Sequence, residues 1–227
     1  MGATGLIGSR VAECLRSTGH DVVAASRSSG VDAVTGAGLT DALAGANVLV
    51  DVTNAPSSGA GSVMSFFTAS ATNLVEAAMR SGVGHYVVLS IVGVDGLPDN
   101  DYFQAKVAQE RIVAESAIPY SIVRATQFVE FTNQITASLT DGDVVRVPDA
   151  LIQPIPADEV AAEIARVAVS EPLNGIVDIG GAAKITCEQM ARDALARSGD
   201  TSKTVVVDPT ARYFGATLRP RSLVTAD

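Results

Sequence analysis

The chain has 227 residues, 47% of them hydrophobic and 18% charged, with a formal net charge of −9. That much apolar side chain builds a sizeable α/β core without disulfides or metals, and the acidic balance argues against nucleic acid as a partner, whose footprint is a basic face. Cys14 and Cys187 lie far apart with no metal-ligand spacing and read as buried or free thiols of a reducing compartment. No run reaches the apolar length of a membrane span and no signal-peptide pattern is present, so a cytoplasmic protein is expected.

The first element in chain order is a turn. Gly2-Ala3-Thr4-Gly5-Leu6-Ile7-Gly8 reads G-x-x-G-x-x-G, and an amphipathic helix follows, with Leu6, Ile7, Val11 and Leu15 on one face and Arg10, Glu13 and Arg16 away from it. Glycine lets the backbone turn sharply and approach a ligand closely. The N–H groups and positive dipole end of the new helix favour a pyrophosphate. The glycine spacing differs from G-x-G-x-x-G, but the mechanics are those of a dinucleotide-binding turn. Such a turn follows a buried strand, and here Met1 alone precedes it.

Residues 21–26 predict a short buried strand, residues 27–30 a polar turn and residues 31–35 a brief third strand. A helical turn over 39–43 stops at Gly45, and 47–52 is a buried strand. Residues 53–61 form a loop rich in Ser, Gly and Pro; 62–80 is a long helix; 85–91 is a buried strand. A helix over 100–116 and a strand over 120–124 complete a run of alternating elements, which means βαβ units and a mostly parallel sheet covered on both faces. Beyond Arg124 the expected elements are a helix over 126–139 and short strands over 144–147 and 151–155 that pair with each other. A helix over 157–170, a strand over 175–179, a helix over 186–197 capped by Thr186 and a strand over 203–207 follow. Residues 1–227 read as one domain, with 1–125 its cofactor-binding core and 126–227 mixed core and a small substrate lobe.

Two clusters carry chemistry. At the tip of the second strand stands Ser26-Arg27-Ser28, where an NAD-selective fold has an acid for the ribose 2′-OH; a guanidinium flanked by hydroxyls suits a 2′-phosphate, predicting NADP(H) over NAD(H). The second cluster is Tyr102-Phe103-Gln104-Ala105-Lys106, with Ser90 at the carboxyl end of a strand before it. Tyr102 and Lys106 share a helix face. A lysine beside a phenol favours phenolate and lowers its pKa from about 10, so Tyr102 can give or take the proton that accompanies hydride transfer while Ser90 holds the carbonyl oxygen. His20 and His85 are isolated and read as structural, and no metal site is expected.

On Gly2 to Gly8, residues 85–90 and 102–110, and Ile118-Pro119-Tyr120-Ser121-Ile122-Val123-Arg124-Ala125-Thr126-Gln127-Phe128, the chain resembles the short-chain dehydrogenase/reductase superfamily. It is most similar to the atypical, NmrA-like or NAD(P)H-binding group, which residues 154–160 also resemble. The resemblance implies a Rossmann-like, doubly wound α/β fold with a small C-terminal lobe, and NADP(H) on Gly2, Thr4, Gly5, Leu6, Ile7 and Gly8. It implies Tyr102, Lys106 and Ser90 in the acid/base, ribose-binding and carbonyl-holding roles, Thr126, Gln127 and Phe128 near the nicotinamide, and Thr53, Asn54 and Ala55 along the adenosine and ribose. Asn73 matches a relay asparagine of some members, yet its mid-helix place suits a structural hydrogen bond.

Two functions from different classes follow: an NADP(H)-dependent oxidoreductase of a small carbonyl, quinone or related compound, and a non-catalytic NADP(H)-binding redox sensor. The partners expected are a small-molecule substrate, no nucleic acid and no membrane, on a monomer or homodimer. A strand of about five or six apolar residues is expected before Gly2 in the working protein, with Met1 an internal or misassigned start, and the family continues past residue 227 into a last helix.

Overall fold

The computed structural model describes residues 1–55 and 60–226; Pro56 to Gly59 of the expected 53–61 loop, and Asp227, lie outside the described residues. In chain order the elements are α1 (Leu6–Ser17), α2 (Leu39–Ala42), β1 (Val48–Asp51), α3 (Ala60–Ser81), β2 (His85–Ile91), α4 (Asp101–Ala114) and β3 (Tyr120–Ala125). Then come α5 (Thr132–Ser138), β4 (Thr140–Asp141), β5 (Val144–Val147), β6 (Leu151–Ile152), α6 (Ala157–Ala168), β7 (Gly175–Ile179), β8 (Ile185–Thr186), α7 (Cys187–Ser198) and β9 (Thr204–Val207).

The chain divides into two compact units. The first comprises Met1–Ser90, Ala105–Arg124 and Ala157–Val177. Its centre is a parallel sheet in the order β1-β2-β3-β7. β1 and β2 pair from Val48 opposite His85 to Asp51 opposite Val88. Both strands are nearly continuous apolar runs because helices cover the sheet. Leu39 and Leu43 from the α2 region, Leu74 and Ala78 of α3, Leu49, Tyr86, Val88 and Ile122 of the strands close one core cluster. α1 packs on α6, burying Ile7, Val11, Val160 and Ile164. The exposed Arg10–Asp158 pair at 2.5 Å that joins the two helices adds little stability.

The second unit comprises Ile91–Gln104, Ala125–Pro156 and Asp178–Asp227. β5 pairs antiparallel with β4 and parallel with β9, and α5 packs on α7. Thr186 caps α7 as expected, its Oγ1 accepting from Gln189 N at 3.0 Å. Both cysteines are free thiols, and burial pushes the Cys187 thiol up to about 12, which keeps it protonated.

Four expectations are corrected. Residues 21–26 are not a buried strand: no ladder is assigned to them and Val23 is 65% exposed. A strand exists through its neighbours, and this stretch touches the glycine turn through Ala3 N donating to Ala25 O at 3.2 Å, while β1 meets Met1 by Val52 N donating to Met1 O at 3.2 Å. Residues 31–35 form a turn, because Asp32 Oδ1 accepts from Val34 N at 2.8 Å and Asn73 Nδ2 donates to Ala33 O and Val34 O at 2.9 and 2.8 Å. This gives Asn73 the structural role. The helix expected over 126–139 opens with an extended stretch and one 3₁₀ turn, Val129–Phe131, before α5. Finally, β5 and the 151–155 stretch do not pair with each other; β6 pairs with β8. Ala150 N donating to Pro148 O at 2.9 Å folds the connection tightly, and Cys187 N donating to Ala150 O at 2.9 Å draws it to the start of α7.

Candidate functional site

Within the first unit the glycine turn is built by close approach. Gly2 has φ +80°, and a Cβ there would lie 2.8 Å from Val52 O. A Cβ on Gly8 would lie 2.1 Å from Gly2 O, so the start of α1 rests directly on the turn. Gly5 is the N-cap and offers no side-chain oxygen to the first-turn N–H groups of Leu6, Ile7 and Gly8. Thr4 and Gly5 are exposed at the tip, whereas the Ile7 side chain is buried. Such an uncapped helix start behind a glycine turn fits the pyrophosphate of a dinucleotide.

The same bond from Ala3 to Ala25 brings Ser26 beside this turn. Arg27–Ser29 is one 3₁₀ turn closed by Gly30 at φ +81°. Ser26 Oγ lies 2.8 Å from Ser28 Oγ, and Ser29 Oγ accepts from Ser26 N at 3.0 Å. Ser26 is buried and Arg27 is exposed. Thr53 also reaches the turn, its N lying 3.1 Å from where a Gly2 Cβ would stand. Asn54 is exposed beside it.

Behind Thr53 lies a buried polar chain that the sequence reading missed. Asp51, 1% exposed at the carboxyl end of β1, accepts through Oδ1 from Thr53 N (3.0 Å) and Thr53 Oγ1 (2.7 Å). Its Oδ2 accepts from Tyr86 OH (3.0 Å) and Gln109 Nε2 (2.8 Å). Gln109 Oε1 in turn accepts from Lys106 Nζ, which also donates to Leu89 O at 2.8 Å and sits 4.7 Å from the centroid of the Phe67 ring. Burial lowers the Lys106 ammonium to about 8, against the opposing charges of Asp51 and Glu110. Glu110 is itself buried in a bidentate pair with Arg124, at 2.9 and 2.6 Å, which ties α4 to β3. The one available signal was Asp51 itself, an acid ending an apolar strand at the carboxyl edge where ligands bind.

Lys106 reaches the end of β2 at Leu89, the residue before Ser90. Ser90 is 3% exposed, and its Oγ has no hydrogen-bond partner among the described residues. A buried hydroxyl left unpaired costs free energy, and a carbonyl oxygen placed there would accept its proton.

Tyr102 stands one turn before Lys106 on α4. Burial pushes its phenol up to about 12, opposite to the expected lowering by the lysine. Desolvation disfavours the phenolate, so the hydroxyl is held as a proton donor. Thr126, in the second unit, is 3% exposed; its hydroxyl donates to Gln153 O and its N donates to Ile179 O at 3.0 Å. His85 is structural, its Nε2 2.8 Å from Ser121 Oγ. Among the described residues no group of His, Cys, Asp or Glu is set to hold a metal, and no helix is long and apolar enough to cross a membrane.

A family model described as NAD(P)H-binding matches residues 2–171. No curated protein matches. Among solved structures, an NADPH-dependent quinone oxidoreductase from Escherichia coli complexed with NADPH superposes with a TM-score of 0.70 at 21% identity, covering 92% of this chain and 77% of that one. A triphenylmethane reductase from Citrobacter sp. complexed with NADP(H) gives 0.67 at 20%, covering 92% and 78%. A Thermus thermophilus UDP-glucose 4-epimerase in complex with NAD gives 0.70 at 17%, covering 99% and 88%. At these identities the likeness is one of fold: the Rossmann-like α/β sheet.

Proposed function

The chain belongs to the NAD(P)H-binding family, and from that premise we propose that it is an NADPH-dependent oxidoreductase that reduces a small carbonyl, quinone or related compound. The observation that carries the reading is the buried Ser90 hydroxyl, which has no hydrogen-bond partner among the described residues, at the strand end where Lys106 Nζ donates to the preceding carbonyl, Leu89 O. Gly2, Thr4, Gly5, Leu6, Ile7 and Gly8 hold the pyrophosphate with backbone N–H groups. Ser26, Arg27 and Ser28 take the 2′-phosphate. Thr53 and Asn54 line the ribose path, Lys106 holds ribose hydroxyls with the N–H that Leu89 and Gln109 leave over, and Thr126 lies by the nicotinamide. When bound, the reduced nicotinamide supplies hydride. Ser90 Oγ donates to the substrate oxygen and the Tyr102 hydroxyl, kept protonated by burial, delivers the proton. One structural neighbour is named as a quinone oxidoreductase, and a quinone is of the class proposed.

NADPH oxidation against a panel of carbonyls and quinones tests the proposal. Tight dinucleotide binding with no turnover of any panel member would favour the sensor reading instead. The cofactor preference has its own check: titrating both reduced cofactors by fluorescence should show NADPH bound at least about tenfold tighter, and Arg27→Ala should erase the difference. Equal affinities in the parent chain would refute the preference.

A further inference from the structure

Near the C-terminal end of the second unit, Tyr213-Phe214-Gly215-Ala216 closes a two-residue turn. Tyr213 N donates to Ala216 O and Ala216 N to Tyr213 O, both at 2.9 Å. Phe214 has φ +47° and Gly215 φ +87°, so both central residues are left-handed, as a type I′ turn requires. Such turns favour Asn-Gly or Gly-Gly, and a bulky aromatic at the first central position is a steric outlier. Core burial does not offset this strain, because Phe214 is 53% exposed while Tyr213 beside it is 5% exposed. The two rings meet edge to face with centroids 4.9 Å apart, which orients the exposed ring on a buried one.

The turn is fixed to the helix of the proposed proton donor. Asn100 Nδ2 donates to Phe214 O at 2.7 Å, and Asn100 Oδ1 accepts from Phe103 N at 3.0 Å, capping the start of α4 two residues before Tyr102. The chain just beyond the turn is equally placed: a Cβ on Gly93 would lie 1.8 Å from Ser222 O, and Leu223 O accepts from Gln127 Nε2 at 3.2 Å. The ring is therefore held in a strained, exposed pose by a well-anchored frame. In a chain with six phenylalanines and no tryptophan, a strained aromatic left at the surface points to a ligand rather than to packing.

We infer that Phe214 is a substrate-contacting residue, its ring the surface on which a planar aromatic or quinone-like substrate stacks; this rests on the oxidoreductase reading above. Aromatic rings attract one another in offset or edge-to-face arrangements beyond the area they bury, so the ring selects flat aromatic substrates over aliphatic carbonyls.

The test uses the full chain with Phe214→Asn, which suits the turn, and Phe214→Tyr, which keeps the ring. Menadione is titrated calorimetrically into the NADP⁺-loaded protein, so no turnover intervenes, and melting temperature and NADPH affinity are measured beside it. Phe214→Asn is expected to melt at the same or a higher temperature, to keep NADPH affinity within about twofold and to lose at least about tenfold in menadione affinity, while Phe214→Tyr stays near the parent. Unchanged menadione affinity in Phe214→Asn, no menadione binding by the parent chain, or equal losses in both variants would overturn the assignment. A fall in melting temperature for Phe214→Asn would overturn it too, since the ring would then be a structural clamp. Menadione bound but never reduced would defeat the oxidoreductase reading while the Phe214 contact stood.

Discussion

Lys106 carries the sharpest consequence at the scale of single residues. Burial lowers its ammonium to about 8 while the Asp51 and Glu110 charges hold it up. If Lys106 holds the ribose as proposed, NADPH affinity should weaken as pH rises through about 8, when the buried lysine loses its charge. Asp51→Asn removes one of the two supporting carboxylates and should move that limb to lower pH. The sign for stability is opposite: an unfolded lysine keeps its proton to about 10.4, so above about 8 the folded chain binds fewer protons and stability rises with pH. Affinity titrations across pH on parent and variant check this; a limb that does not move would remove Asp51 from the account. Tyr102 behaves differently. Held up to about 12, it remains a donor throughout this range.

At the scale of elements, the joint between the glycine turn and α1 decides whether a pyrophosphate site exists. Gly8 lies where a Cβ would stand 2.1 Å from Gly2 O. Gly8→Ala must push the helix off the turn, moving the N–H groups of Leu6 and Ile7 from the position a phosphate needs. NADPH affinity should fall by more than about tenfold, with a lower melting temperature because α1 also loses its seat against α6. An alanine variant with parent affinity would show that the turn is not the phosphate site. The stretch over residues 21–26 belongs to the same scale. Its apolar sequence reads as a strand, yet apolar side chains alone do not make one where no strand among the described residues pairs with the backbone.

At the scale of the whole molecule, local signals were legible where one segment settles its own structure. β2 is an apolar run bounded by Gly84 and the Gly93 turn, and the reading placed it at His85–Ile91; α6, α7 and β7 were equally local. The polar chain from Thr53 through Asp51 and Gln109 to Lys106 was not legible, because it joins three segments through hydrogen bonds that span as many as 58 residues of sequence. The Phe214 turn was missed because it lacks the Asn-Gly signature that marks such turns. The direction of the Tyr102 shift was missed because burial, which a motif does not report, sets it rather than the lysine.

The central claim, that this NAD(P)H-binding chain reduces a substrate with Tyr102 as proton donor, is tested most directly by steady-state NADPH oxidation with a quinone and carbonyl panel on the parent chain and on Tyr102→Phe. The account predicts turnover by the parent and a loss of about 10²–10⁴-fold in kcat for the variant, with NADPH affinity unchanged. A Tyr102→Phe protein that turns over every accepted substrate at the parent rate, or a parent that binds NADPH and never oxidises it, would contradict the account.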